Sequence, residues 1–145
     1  MAEAVATFTI QAVAAEIRNA ACWVSSVGEE FGVPAEQLNC LDICLNEALA
    51  NVLEHGGSAA RAAPIRLDFA VRQAAASREA AITVSDEGTA CDPLGLPSRT
   101  RPQSLAEAEP GGLGVSMMRT FADALSYRYS EGRNQLTFAV RWRTE

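Results

Sequence analysis

Apolar residues recur at helical spacing between residues 34 and 54, and this pattern predicts the longest helix of the chain. The residues that share its apolar face are Leu38, Leu41, Leu45, Ala48, Leu49 and Val52. Glu47, Asn51 and His55 lie at positions i, i+4 and i+8, so they form a polar stripe along a different face. The pattern therefore predicts a helix that is buried on one side and carries a carboxylate, an amide and the chain's single imidazole on another.

Alternating apolar and polar positions predict five β-strands before and after this helix. The predicted strands cover residues 5–13, 64–74, 79–85, 126–130 and 135–142. The second and third strands are close enough in sequence to form a hairpin, and residues 131–134 supply the turn between the last two. Further helices are predicted over residues 14–31 and 113–125, with residues 59–63 as a short connection.

The order of these elements predicts the fold class. Helices do not alternate one by one with strands, so a doubly wound parallel sheet is disfavoured. The order favours an α/β two-layer sandwich, in which a mixed, mostly antiparallel sheet of about five strands carries three helices on one face. With 145 residues and no internal repeat, the chain is expected to form one domain over residues 1–145.

Charge and composition exclude several classes of function. The net charge of -6 argues against bulk binding to nucleic acid and against an anionic membrane surface, but it is compatible with a protein partner that has basic patches. No apolar run approaches ~20 residues, and the N-terminus lacks the pattern of a secretory signal, so a cytoplasmic protein without a membrane span is expected. The four cysteines fit no zinc motif and are expected to be reduced thiols.

Three segments carry candidate chemistry. On the central helix, the amide oxygen of Asn51 could bind Mg²⁺, and Glu47 could accept a proton, although a solvated polar face would look the same. Asp86-Glu87-Gly88 ends the third strand, where an aspartate could accept a hydrogen bond from a purine amine or simply form a turn. Gly111-Gly112-Leu113-Gly114 precedes a predicted helix, where backbone amides favour phosphate, although a plain turn is also compatible.

The order and spacing of these segments resemble a known family. Glu47-Ala48-Leu49-Ala50-Asn51, with His55-Gly56, resembles the N box of the GHKL (Bergerat) ATPase superfamily, which includes histidine kinases and gyrase. Asp86-Glu87-Gly88 with Asp92-Pro93 resembles the first glycine box, residues 111–114 resemble the second, and residues 132–137 resemble the terminal hairpin. Over nearly its whole length, the chain is similar to the RsbW-like anti-sigma-factor serine/threonine kinases, or switch kinases.

The resemblance implies a role for each matching residue. Asn51 would coordinate the Mg²⁺ that bridges the ATP phosphates, and Glu47 would act as the general base on an incoming hydroxyl. Asp86 would hydrogen-bond the adenine amine, and Gly88 would pack near the base. The residues that would hold the phosphates are Gly111, Gly112, Leu113 and Gly114, with residues 92–110 as the ATP lid.

The resemblance also implies a function. An ATP-dependent kinase of this type would sequester an RNA polymerase sigma factor and phosphorylate a small STAS-type antagonist in a partner switch, and a homodimer is plausible. Ala90, Cys91 and Pro110 depart from the family's usual residues, so the rate of phosphate transfer stays open. The alternative is a non-catalytic module that binds a sigma factor or another regulator, with a vestigial or purely structural nucleotide pocket.

Overall fold

The computed structural model describes residues 2–95 and 114–144, which contain five strands and four α-helices. The strands are β1 (Ala2–Ile10), β2 (Ile65–Ala74), β3 (Ser77–Asp86), β4 (Ala124–Ser130) and β5 (Arg133–Arg143). The helices are α1 (Ile17–Glu30), α2 (Ala35–His55), α3 (Gly57–Arg61) and α4 (Gly114–Phe121). Short 3-10 turns precede α1 at Ala14–Glu16 and follow β3 at Pro93–Gly95.

The strands form one sheet in the order β1-β2-β3-β5-β4, and every pairing between the described strands is antiparallel. The predicted hairpins correspond to β2–β3 and β4–β5, and the mostly antiparallel two-layer sandwich is confirmed. Because β5 pairs with β3 in the antiparallel direction, the beginning of β5 lies beside the end of β3. This arrangement pairs Asp86 with Asn134 in register.

Helix α2 forms the centre of the helical layer and contacts β3, β5, α1 and α4. The apolar face predicted for α2 is confirmed, since Leu41, Leu45, Ala48, Leu49 and Val52 are buried and Leu38 packs against the core. The sheet contributes alternate side chains to the same core: Leu67, Phe69, Val71, Ile82, Val84, Leu136, Phe138 and Val140. Such alternation is what a sheet covered on one face requires.

Helix α1 is held close to α2 and to the sheet by small and aromatic residues. A Cβ at Gly28 would lie 2.1 Å from Leu38 Cδ2, so any larger residue there would require the Leu38 side chain to move. Trp23 of α1 stacks on Phe8 of β1, with ring centroids 5.2 Å apart. These contacts bury the face of α1 that turns toward the sheet.

Most predicted elements differ from the observed ones by a few residues, and three of these differences have a clear structural cause. Strand β1 ends at Ile10 instead of residue 13, because its partner strand begins at Ile65 immediately after Pro64, which has no amide proton for a ladder. Residues 57–61, predicted partly as a connection, form the single-turn helix α3. Helix α4 ends at Phe121, because Asp123 N already donates to Ala139 O (2.8 Å) and starts the pairing of β4 with β5.

Within residues 2–95 and 114–144, no helix has both the length and the apolar character that crossing a membrane would need.

Candidate nucleotide-binding site

A cavity lies beside the second half of α2, near the end of β3 and the beginning of β5. Its apolar wall is formed by Ala48, Val52, Val84 and Leu136. Its polar groups include Asn51, Asp86, Tyr127 and Asn134. Thr89, Cys91 and Pro93 of the loop after β3 complete the wall on one side. An apolar cleft with a few converging polar groups is the usual form of a small-molecule site.

Asn51, the amide of the predicted polar stripe, lines this cavity. It is only 8% exposed, and its Nδ2 atom has no hydrogen-bond partner among the residues that the structure describes. A buried amide without a partner costs free energy, so it is suited to a ligand. The amide can turn over without changing its shape and present its oxygen in the same place. An amide oxygen fits magnesium, which prefers oxygen ligands, and Asn51 would supply one such ligand if the ion is bound.

Asp86, the last residue of β3, lines the same cavity and is 6% exposed. Its Oδ1 atom accepts hydrogen bonds from Gly88 N (2.8 Å) and from Asn134 Nδ2 (3.1 Å). Among the described residues, every hydrogen bond to this carboxylate ends on Oδ1. The second oxygen is therefore available to accept a hydrogen bond from a ligand amine.

Gly88 is required by the packing of the loop after β3. A Cβ there would lie 2.7 Å from Gly56 O and 2.9 Å from the Cβ of Ala60. Thr89 N donates to Gly56 O (3.3 Å) and so ties the loop to the end of α2. The missing side chain of Gly88 thus faces the corner between α2 and α3, and its predicted contact with the base stays a prediction.

Asn134 and Tyr127 belong to the cavity, although no role was predicted for either from the sequence. Asn134 is 7% exposed, and besides Asp86 its amide nitrogen donates to Gly88 O (3.3 Å) and Thr89 O (3.1 Å). Its Oδ1 atom accepts from Cys91 N (3.1 Å) and from the Tyr127 hydroxyl. The sequence did indicate that Asn134 is buried, because it lies two residues before the apolar Leu136 on β5 and so points to the same face of the sheet. A polar residue in an apolar series is expected to have a specific partner.

Glu47 lies one helical turn before Asn51 on α2 and is partly buried, but it is not among the described residues that line the cavity. Burial raises the pKa of its carboxyl above the usual value, and the neighbouring charge of Glu54 raises it further. A carboxylate with a raised pKa is a better proton acceptor near neutral pH. His55 ends α2 and does line the cavity, with 48% of its side chain exposed.

The second glycine segment is described only at its end. Gly111, Gly112 and Leu113 lie outside the described residues, as does most of the predicted lid, and Gly114 is the first residue of α4. Helix α4 packs against α2. Leu94, near the beginning of the predicted lid, accepts a hydrogen bond from Arg119 Nη2 of α4 (2.8 Å). This bond links the beginning of the predicted lid to α4.

A family model described as the histidine kinase-like ATPase domain matches residues 10–140, which is most of the chain. The chain belongs to this ATPase domain family. It is also 33% identical over 131 residues to the serine/threonine-protein kinase BtrW of Bordetella bronchiseptica, covering 90% of this chain and 89% of that protein. The predicted assignment to the RsbW-like kinases of the GHKL superfamily, and hence to ATP-using kinases, is confirmed.

The fold is also found among solved structures. The crystal structure of the RsbU and RsbW domains of Rv1364c from Mycobacterium tuberculosis matches with a TM-score of 0.67 and 12% sequence identity. The match covers 98% of this chain, which spans 34% of the solved one. At this identity the likeness supports the fold alone.

Proposed function

We propose that this histidine kinase-like ATPase domain is a serine/threonine kinase that uses ATP and Mg²⁺ to phosphorylate a small antagonist protein of the STAS type. In the same proposal, it also binds a sigma factor, and phosphorylation of the antagonist determines which partner is held. The observation that carries the proposal is that Asn51 and Asp86 line one cavity. Asn51 is the predicted ligand of the Mg²⁺ at the ATP phosphates, and Asp86 is the predicted partner of the adenine amine.

The chemistry of phosphate transfer fits the residues around this cavity. Phosphoryl transfer depends on positioning and on neutralising charge more than on covalent catalysis. Magnesium, when bound, supplies that neutralisation at the phosphates. Asn51 would hold the metal, and Asp86 would accept a hydrogen bond from the amine of the base. The backbone amides of residues 111–114 would contact the phosphates. Glu47 would take the proton of the attacking serine or threonine hydroxyl, for which its raised pKa is favourable.

Relatives support the choice of substrate class. The relative BtrW is named a serine/threonine-protein kinase, and the matching solved structure contains an RsbW domain together with an RsbU domain. The acidic chain, with a net charge of -6, is suited to partners with basic surfaces. A homodimer in the cytoplasm is part of the same proposal.

The test is incubation of the protein with ATP, Mg²⁺ and a cognate antagonist, followed by mass spectrometry of the antagonist. Transfer to one serine or threonine is expected, and Glu47→Gln is expected to abolish it while ATP still binds. The matched control is Glu36→Gln, an exposed glutamate in the first turn of the same helix. ATP binding without transfer to any antagonist would favour the non-catalytic regulator-binding module, and absence of nucleotide binding would refute the kinase.

A further inference from the structure

We infer that Asn134 is the positioning residue that gives the nucleotide site its preference for a base with a 6-amino group, an inference that rests on the proposed ATP-binding function. It would act on the ligand through Asp86, because its amide nitrogen holds the Asp86 carboxylate in one orientation.

The orientation of the Asn134 amide is fixed by its oxygen. An amide oxygen and nitrogen look alike in shape, so their positions are decided by the surrounding donors and acceptors. Here two donors, Cys91 N and the Tyr127 hydroxyl, converge on Asn134 Oδ1. Turning the amide over would set its nitrogen against both donors. The Asn134 nitrogen is therefore held toward Asp86.

The nitrogen of the same amide fixes Asp86. Asn134 Nδ2 donates to Asp86 Oδ1 at 3.1 Å, and the backbone of Gly88 donates to the same oxygen at 2.8 Å. Two donors on one carboxylate oxygen prevent rotation of the group, because rotation would leave both donors without a partner in a buried site. Oδ2 is thereby the oxygen left for the ligand.

A fixed acceptor distinguishes between purines by their substituent at position 6. An amine there can donate a hydrogen bond to the carboxylate oxygen. A carbonyl oxygen at the same position would be repelled, because it and the carboxylate oxygen are both acceptors. A hydrogen bond to a charged group is worth enough to change affinity about tenfold or more. Without Asn134, only Gly88 N would hold Asp86 Oδ1, so the carboxylate would rotate more freely. The preference would then decline even though the cavity and its apolar wall persist.

The experiment compares two ligands on the full-length protein. Calorimetry measures the Kd of ATP and of purine riboside triphosphate, which is ATP without its 6-amino group, in the wild type, Asn134→Ala and Asn134→Leu. Leucine has the same branching as asparagine but neither donor nor acceptor, so it tests the amide without leaving a void. Gln135→Ala is the matched control, since Gln135 is the adjacent residue of β5 and bonds Arg128 instead (2.8 Å). Circular dichroism reports whether each variant is folded.

The expected result is that wild type and Gln135→Ala bind ATP about tenfold more tightly than the analogue, while the Asn134 variants bind both ligands within about threefold. A merely structural role would weaken both ligands together and keep their ratio, and that outcome would overturn the inference. So would failure of both variants to fold, or a wild type that binds both ligands equally. A wild type that binds neither ligand would instead refute the proposed ATP-binding function itself.

Discussion

Asp86 and Asn134 are register partners at the end of β3 and the beginning of β5, and the amide of Asn134 donates to the carboxylate of Asp86 over 3.1 Å. Both side chains are more than nine-tenths buried. Burial of a carboxylate without donors would be costly, and the two hydrogen bonds on Oδ1 offset that cost. The Asp86 carboxylate is therefore held in one orientation by the protein itself.

Asp86→Asn is expected to weaken ATP binding by about tenfold or more and to leave the fold intact. The new amide oxygen can still accept from Gly88 N and Asn134 Nδ2, but the amide nitrogen would face the adenine amine, donor against donor. Calorimetric titration with ATP checks this. Asp68→Asn is the control, because Asp68 lies on β2, bonds Arg66 (3.0 Å) and is not among the described residues that line the cavity. Unchanged ATP affinity in Asp86→Asn would contradict the assignment of Asp86 to the base.

Glu47→Gln is expected to lower phosphate transfer by about 100-fold or more if Glu47 is the general base. The same change is expected to raise the free energy of unfolding at pH 7. Burial raises the pKa of Glu47, so the folded protein disfavours its ionised form, and a neutral glutamine removes that penalty. The gain should shrink as the pH falls and disappear below the ordinary glutamate pKa of about 4.3.

Urea unfolding of Glu47→Gln and wild type between pH 4 and 8 checks the stability part of this prediction. Glu36→Gln, the exposed glutamate of the same helix, should show no such pH-dependent gain. A Glu47→Gln protein that is less stable than wild type at pH 7 would show that the carboxylate makes a favourable contact in the folded state.

Gly88→Ala is expected to destabilise the protein by about 1–3 kcal/mol and to weaken ATP binding. The added Cβ would meet backbone at Gly56 O (2.7 Å) and would also lie 2.9 Å from Asp86 Oδ1. Gly132→Ala is the matched control: Gly132 has a positive φ of 76° but open space around it. That change should cost only about 1–2 kcal/mol of backbone strain and leave ATP affinity unaltered. Equal loss of ATP affinity in both variants would exclude a specific role for the Gly88 contact.

ATP is expected to protect Cys91 from alkylation, because Cys91 lines the cavity and is only partly buried. At ten times its Kd, ATP should slow the reaction about tenfold by occupying the site. Peptide mass spectrometry after timed treatment with iodoacetamide measures each cysteine separately. Exposed Cys22 should react at the same rate with and without ATP. Protection of both cysteines alike would indicate a general change in the protein instead of occupancy of the cavity.

Cys44 is expected to remain unmodified until the protein unfolds. Burial on α2 is the main cause that raises its pKa to about 12, and the thiolate is the reactive form. At pH 8, only about one thiol in 10,000 would be ionised at this pKa. Modification of Cys44 at the rate of Cys22 under native conditions would contradict the packing of α2 against the core.

Much of the fold was predictable because its signals are local. The spacing of Leu41, Leu45 and Leu49 defines the buried face of α2 wherever that helix lies. Alternation likewise predicts β2, β3 and β5, since each has one face on the core. The ends of β1 and α4 were predicted less well, because each depends on the strand beside it: Ile65 opposite Ile10, and Ala139 opposite Asp123.

Some features of the candidate site were likewise predictable from local sequence, and others were not. The sequence by itself determined the polar stripe of α2 and the place of the Asp86 carboxylate near the end of β3, because both follow from residue type and near neighbours. Only the tertiary structure decided that Asn134 holds Asp86, since these residues are 48 positions apart and meet because β5 pairs with β3. The physical reason is that periodicity records whether a position is buried, whereas the partner of a buried polar group depends on strand order and register, which are settled by the packing of the whole chain.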